Sequence, residues 1–303
     1  MKKLFYFIKP IIPRNVQIFL RSILVKKQRK RYKNVWPIFP GSQTKPKNWT
    51  GWPDGKNFAI VLTHDVEFRE GHDKCRRLLE IEKELGFKSS FNFVPERYKV
   101  DRELRDFIVS EGFEVGVHGL NHDGKLFRDK KIFSERAKKI NQYLKEWNSV
   151  GFRAPAMHHN LEWIGKLNIE YDLSTFDTDP FEPQPDGVGT IFPFWIEGKD
   201  RRPGYLEMPY TLVQDFTLFI LMKEKSPAIW IDKLNWISKN GGIALVNVHP
   251  DYLNFEYKRK LEQFPVSYYS DFLKFVKEKY YEKYWNVLPK DVARYYKRAI
   301  TIN

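Results

Sequence analysis

The chain is poor in three respects. It has one cysteine among 303 residues, Cys75, so neither an internal disulfide nor a cysteine-built metal site can form. A lone thiol fits a reducing compartment. No stretch reaches the roughly 20 uninterrupted apolar residues of a spanning helix. The opening run MKKLFYFIKPIIPRNVQIFL is broken by Lys9, Pro10, Pro13 and Arg14, and no small-residue cleavage site follows. It therefore does not read as a signal peptide. The expected location is cytoplasmic, or peripheral on the inner face of the cytoplasmic membrane. Acid is also missing at the start: no Asp or Glu precedes Asp54. No internal repeat or low-complexity segment is visible.

Base fills the gap. The net charge is +14, and the segment KKQRKRYK from Lys26 to Lys33 is its densest part. Val16, Phe19, Leu20, Ile23 and Leu24 follow the i, i+3, i+4, i+7, i+8 spacing of one apolar helical stripe beside a cationic face. That pattern suits an interfacial helix on an anionic membrane surface, with residues 1–33 as the contact. It equally suits a helix docked on the protein's own core. Few aromatics interleave with the basic residues for base stacking, so nucleic acid is the weaker partner. Elsewhere 42% hydrophobic content allows a large core, one domain or two modest ones. The 16% of aromatic residues would fill that core before lining a sugar cleft.

The organisation expected is a basic extension and linker over 1–50, a barrel over 51–285 and a tail over 286–303. Strand-like FAIVLTHDV, KSSFNFVP, FEVGVHGL, VGFRAPA, YDLSTF, TIFPFW, YLEMPYTL and IALVNVHP alternate with helical segments over 73–85, 101–110, 134–147, 229–239 and 267–280. This alternation predicts a largely parallel sheet with crossover helices, closed or nearly closed into a barrel. Polar residues then recur at strand ends: Asp65 and Glu67, His118 and His122, Arg153, Asp177 and Asp179, His249. In a parallel barrel all would lie at the C-terminal rim, where such barrels carry their sites.

Asp65 and Glu67 are two apart, so both point to one face of the strand, and His64 to the other. His118 and His122 in HGLNH are four apart, a spacing that brings two imidazoles to one side. Two His and a carboxylate make a facial set with positions left open for water and substrate. Taken singly, each has a plainer explanation: a surface histidine pair, a surface ion pair for Arg153, a core histidine for His249.

The chain resembles the polysaccharide deacetylase (NodB-like, carbohydrate esterase family 4) proteins, whose five short motifs fall in fixed order. THDVE stands for the first, HGLNH for the second, RAP at Arg153 for the third, YDLSTFDTD for the fourth and LVNVHP for the fifth, across about residues 58–250. The resemblance implies a distorted (β/α)7-type barrel and a metal-dependent N-deacetylase. Its substrate would be an N-acetylated amino sugar, which the basic amphipathic N-terminus suggests belongs to a surface polysaccharide or its lipid-linked precursor. One divalent metal is implied, zinc first, with cobalt or nickel also suited. The usual first motif carries two adjacent Asp. Here Val66 stands second, so Asp65 is assigned as base and Glu67 as metal ligand with His118 and His122, the reverse staying open. His249 is implied as acid and Arg153 as the residue holding Asp65 ionised. Asp177 could tune His249, while Tyr210, Asp215 and Pro155 are expected near substrate. A C–N hydrolase on a non-sugar amide is the alternative, and a silent carbohydrate-binding or scaffold barrel, favoured by Val66, is another.

Overall fold

The computed structural model describes residues 13–302 except 48, 200, 201 and 257–259. The first strand, β1 (Phe58–Val66), is buried along all nine residues. Its alternation sorts the core into two layers. Ala59 and Val61 join an inner cluster with Tyr171, Leu206, Ile243 and Leu245. Phe58, Ile60 and Leu62 face an outer cluster built with the helices. A strand covered on both faces needs apolar residues at consecutive positions, which accounts for the run FAIVL.

Parallel pairing continues from β1 through β2 (Ser89–Phe93), β3 (Glu114–His118), β4 (Gly151–Arg153) and β5 (Tyr171–Asp172). The segment TIFPFW yields only β6 (Phe194–Ile196), which lies antiparallel to β7 (Tyr205–Glu207) rather than in the barrel wall. β7 pairs with β5, and β8 (Ile243–Asn247) returns to β1. An isolated bridge, Leu212 to Val246, joins the extension of β7 to β8. Seven parallel strands thus close a distorted (β/α)7 barrel. A short pair, β9 (Leu253–Asn254) and β10 (Phe264–Pro265), follows it.

The helices are α1 (Arg14–Arg31), α2 (Arg69–Leu85), α3 (Arg102–Ser110), α4 (Lys130–Glu146), α5 (Leu161–Ile164), α6 (Ala228–Asn240), α7 (Val266–Lys279) and α8 (Pro289–Ile302). Their boundaries follow local chemistry. Asp129 Oδ1 accepts the Ile132 N–H at 2.9 Å to cap α4. Gly86, at φ 83°, ends α2 in the left-handed region.

Residues 286–303, expected as a tail, are built into the body. β11 (Tyr284–Asn286) pairs with the start of β1. From α8, Val292 and Ala293 enter the inner cluster with Trp52.

The extension holds a second surprise. Residues 1–12 lie outside the described residues, but α1 is present. Its buried face is Ile18, Ser22 and Val25, not the apolar stripe. The Ser22 hydroxyl is buried there without a hydrogen-bond partner. Phe19, Ile23 and Leu24 stay 60%, 51% and 54% exposed. Each forgoes on the order of 1 kcal/mol of burial. The docked face is held by Ile18 and Val25, which join the outer cluster, and by ion pairs from Arg14 to Glu262 at 3.0 Å and Arg29 to Glu224 at 2.5 Å.

Candidate active site

Inner-face alternation carries past the apolar layer and ends in a polar one. Thr63 and Asp65 continue the inner face of β1, and Asn92, His118, Arg153 and Asn247 end the inner faces of β2, β3, β4 and β8. The registers set these residues side by side: Asp65 opposite Asn92, His118 opposite Arg153, Thr63 opposite Asn247.

Asp65 sits at the centre and is buried. Its Oδ1 accepts from Asn92 Nδ2 at 3.0 Å and from Arg153 Nη1 at 3.2 Å. Its Oδ2 accepts from Asn247 Nδ2 at 2.8 Å. Burial alone would raise its pKa. The positive charge of Arg153, joined by His118 once acid protonates it and by His249, outweighs that and holds the carboxyl well below the usual carboxylate range. Arg153 is itself fully buried, anchored by Thr63 Oγ1 at 2.9 Å and the Leu173 carbonyl at 3.0 Å.

Asn92 needs room on the inner face, and Gly116 provides it. A Cβ at Gly116 would stand 2.0 Å from Asn92 Oδ1. The glycine inside EVGVH therefore marks a close approach rather than a weak strand.

Glu67, His118 and His122 present ligand atoms that all lie within 4.8 Å of one another. His118 Nδ1 donates to the Arg153 carbonyl at 3.1 Å, which leaves Nε2 as the bare nitrogen. That Nε2 is buried with no hydrogen-bond partner. Burial depresses His118 to about 4, so the ring is neutral and its lone pair is available. His122 Nε2 lies 2.9 Å from Glu67 Oε1 without hydrogen-bond alignment. Two imidazole nitrogens without proper partners, facing one carboxylate, fit a divalent cation of the zinc type. The carbonyl that orients His118 is the kind of outer support such ligands use.

Glu67 is positioned from behind. Asp251 accepts the backbone N–H groups of Glu67 at 2.8 Å, Phe68 at 3.0 Å and Gly71 at 3.0 Å, at the start of α2. A Cβ at Gly71 would meet that carboxylate at 2.5 Å. Burial, reinforced by Glu67, lifts Asp251 to about 7. Tyr252 donates its hydroxyl to Glu67 Oε2 at 3.3 Å.

His249 completes the ring. Its Nε2 stands 4.0 Å from both Asp65 Oδ2 and Glu67 Oε1. Its Nδ1 meets Asp215 Oδ1 at 2.7 Å. Burial disfavours the imidazolium, but Asp215 more than offsets this and raises the ring to about 10.

The structure therefore gathers Asp65, Glu67, His118, His122, Arg153 and His249. It does not bring Asp177 to His249. Asp177 makes a buried ion pair with Lys233 at 2.5 Å instead, and Asp215, expected near substrate, takes the place beside His249. Tyr210 is buried too, donating to Asp179 Oδ2 at 2.7 Å rather than facing a cleft. Pro155 lines a cavity of about 310 Å³ that opens beside His122 and includes Asn121, His158, Asn160 and Trp163. His64 points away, between the Val248 carbonyl at 2.9 Å and Glu82 at 2.8 Å. Asn92, Asn247 and Asp251 were missed by sequence reasoning. The first two share the parity of Asp65 and His249, which could have found them.

No family profile and no curated protein matches the chain. Solved structures do. A protein classed as a polysaccharide deacetylase from Mycobacterium smegmatis aligns with a TM-score of 0.61 at 20% identity, over 81% of this chain and 92% of its own. One so classed from Pseudomonas aeruginosa PAO1 gives 0.58 at 15%, over 88% and 97%. A Puue allantoinase gives 0.59 at 15%, over 80% and 91%. The chain thus shares the fold of these solved polysaccharide deacetylases, the NodB-like barrel. Within that fold, Glu67, His118 and His122 are a candidate metal site.

Proposed function

We propose that the protein is a metal-dependent amide hydrolase that removes the acetyl group from an N-acetylated amino sugar of a surface polysaccharide or its lipid-linked precursor. The observation that carries this reading is the orphaned His118 Nε2, buried beside Glu67 and His122 with Asp65 and His249 on either side.

Glu67, His118 and His122 would hold the metal, with zinc the best match to two imidazoles and a carboxylate. Bound there, a divalent ion supplies Lewis-acid polarisation of a carbonyl and acidifies water. The rest falls to the chain. Asp65 is kept ionised and fixed by three hydrogen bonds, so it suits the base that accepts a proton as water attacks the acetamide carbon. Those bonds also leave Glu67 as the freer carboxylate for the metal. His249 is held protonated at neutral pH, with Nε2 turned toward Asp65 and Glu67. It would give its proton to the sugar nitrogen as the C–N bond breaks, leaving acetate and a free amine. The cavity beside His122 could seat an adjoining sugar ring, with Trp163 as an apolar wall.

The test is acetate release from N-acetylhexosamine oligomers by zinc-, cobalt- or nickel-loaded protein, with His249→Ala as control. Release that matches the control at every metal sinks the assignment. A second reading, hydrolysis of a non-sugar amide, is favoured by the likeness in fold to an allantoinase. Turnover of small amides but not of oligomers would select it.

A further inference from the structure

The outward face of α1 is built the wrong way round for a helix that only braces its own barrel. Val16, Phe19, Leu20, Ile23 and Leu24 are five of the nine exposed large hydrophobic residues among the described residues. At 100° per residue they lie opposite Ile18, Ser22 and Val25, the face that docks. Lys26, Lys27, Lys30, Arg31 and Lys33 follow them and are exposed.

We propose that α1 is an interfacial helix that seats this protein on an anionic bilayer, its apolar stripe among the acyl chains and its basic end against the headgroups. Charge chooses the occupant. The chain offers no carboxylate before Asp54, so a second copy of the helix laid on this face would bring cation against cation. An anionic lipid surface supplies both an apolar layer and the missing negative charge.

The seat also reaches the site. The docked face of α1 rests on the π-helix Phe216–Leu221, which directly follows Asp215. The guanidinium groups of Arg14 and Arg21 lie 5.6 and 5.2 Å from the Phe216 ring. Phe216 is 4.9 Å from Tyr252, whose hydroxyl meets Glu67. Membrane docking would therefore hold one wall of the site near the lipid–water boundary, and the acetamide met there would be carried on a membrane-anchored glycan. That last step rests on the deacetylase reading, whereas the docking does not.

The experiment is flotation of the full chain with vesicles of phosphatidylcholine alone, or mixed equally with phosphatidylglycerol. The wild type is compared with Phe19→Ser/Ile23→Ser and with Lys26→Gln/Lys27→Gln/Lys30→Gln. All these positions are exposed, and thermal melting checks that each variant is folded. The wild type should float with the anionic vesicles and be released by salt, and each variant should bind at least about tenfold more weakly. A wild type that stays in the buffer fraction overturns the proposal. So does a serine variant that floats as well as wild type, or a soluble wild-type dimer that the serine substitutions split. Flotation needs no substrate, so a chain that floats yet releases no acetate retires the deacetylase reading alone.

Discussion

Asp215 grips His249 twice: Oδ1 meets the ring Nδ1 and Oδ2 accepts the residue's own backbone N–H, both at 2.7 Å. Imidazole tautomer, ring orientation and charge are set together by one carboxylate. Asp215→Asn keeps the shape but loses the charge, and its single amide oxygen can accept only one of the two bonds. Burial then acts on His249 without that opposition, so its pKa falls from about 10. The alkaline limb of the kcat profile should move to lower pH, with kcat at its maximum down roughly 10- to 100-fold. An unmoved alkaline limb would remove His249 from the role of acid.

Metal content separates the two carboxylates. Glu67→Ala and His118→Ala should each weaken zinc binding by about 100-fold or more, whereas Asp65→Asn should leave about one ion per chain. Elemental analysis after dialysis reads this directly. Loss of metal in Asp65→Asn with retention in Glu67→Ala would exchange their roles.

His64 tests the parity of β1. It belongs to the outer layer, where Glu82 also accepts from Ser89 at 2.6 Å and Tyr269 at 2.5 Å. His64→Ala removes one of the three partners of the buried Glu82 and leaves a cavity, and should cost about 3 kcal/mol in urea unfolding. Its metal stoichiometry should match wild type.

Glu114, at the start of β3, predicts a pH slope in stability remote from the site. Burial raises its carboxyl to about 7, although Tyr171 donates to it at 2.9 Å. The folded value exceeds the unfolded one, so the folded state binds the proton more tightly. Its contribution is favourable at low pH and is lost as pH rises from about 4 toward 7, by roughly 3 kcal/mol at most. Glu114→Gln should flatten that slope in urea midpoints measured between about pH 5 and about pH 8.

Much of the site was legible because a strand has period two. Asp65 and Glu67 could be placed on one face of β1, and His64 on the other, from position alone, and His249 at a strand end. What failed was long-range pairing. Asp215 lies beyond a three-residue strand, on an extension whose course no periodicity fixes, so nothing local chose it over Asp177 as the partner of His249. Likewise the stripe on α1 was visible, but spacing says which residues share a face and not what that face meets. The segment from Pro289 begins with a proline at a helix start and carries buried Val292 and Ala293. Its docking depended on an open barrel end that sequence does not display.

The barrel's closure has a consequence of its own. β1 and β8 share five registered residues, but the last seam is one bridge, with the amides of Thr211 and Leu212 both reaching Leu245 at 3.1 Å. Asp215 and His249 stand on opposite sides of that seam, so the pair is also its rivet. Anything that draws His249 out of line loosens the join, and anything that seats the ring tightens it. Hydrogen exchange at Thr211 and Leu212 should therefore act as an occupancy gauge for the site, slowing when a ligand engages His249 even if no other part of the barrel changes.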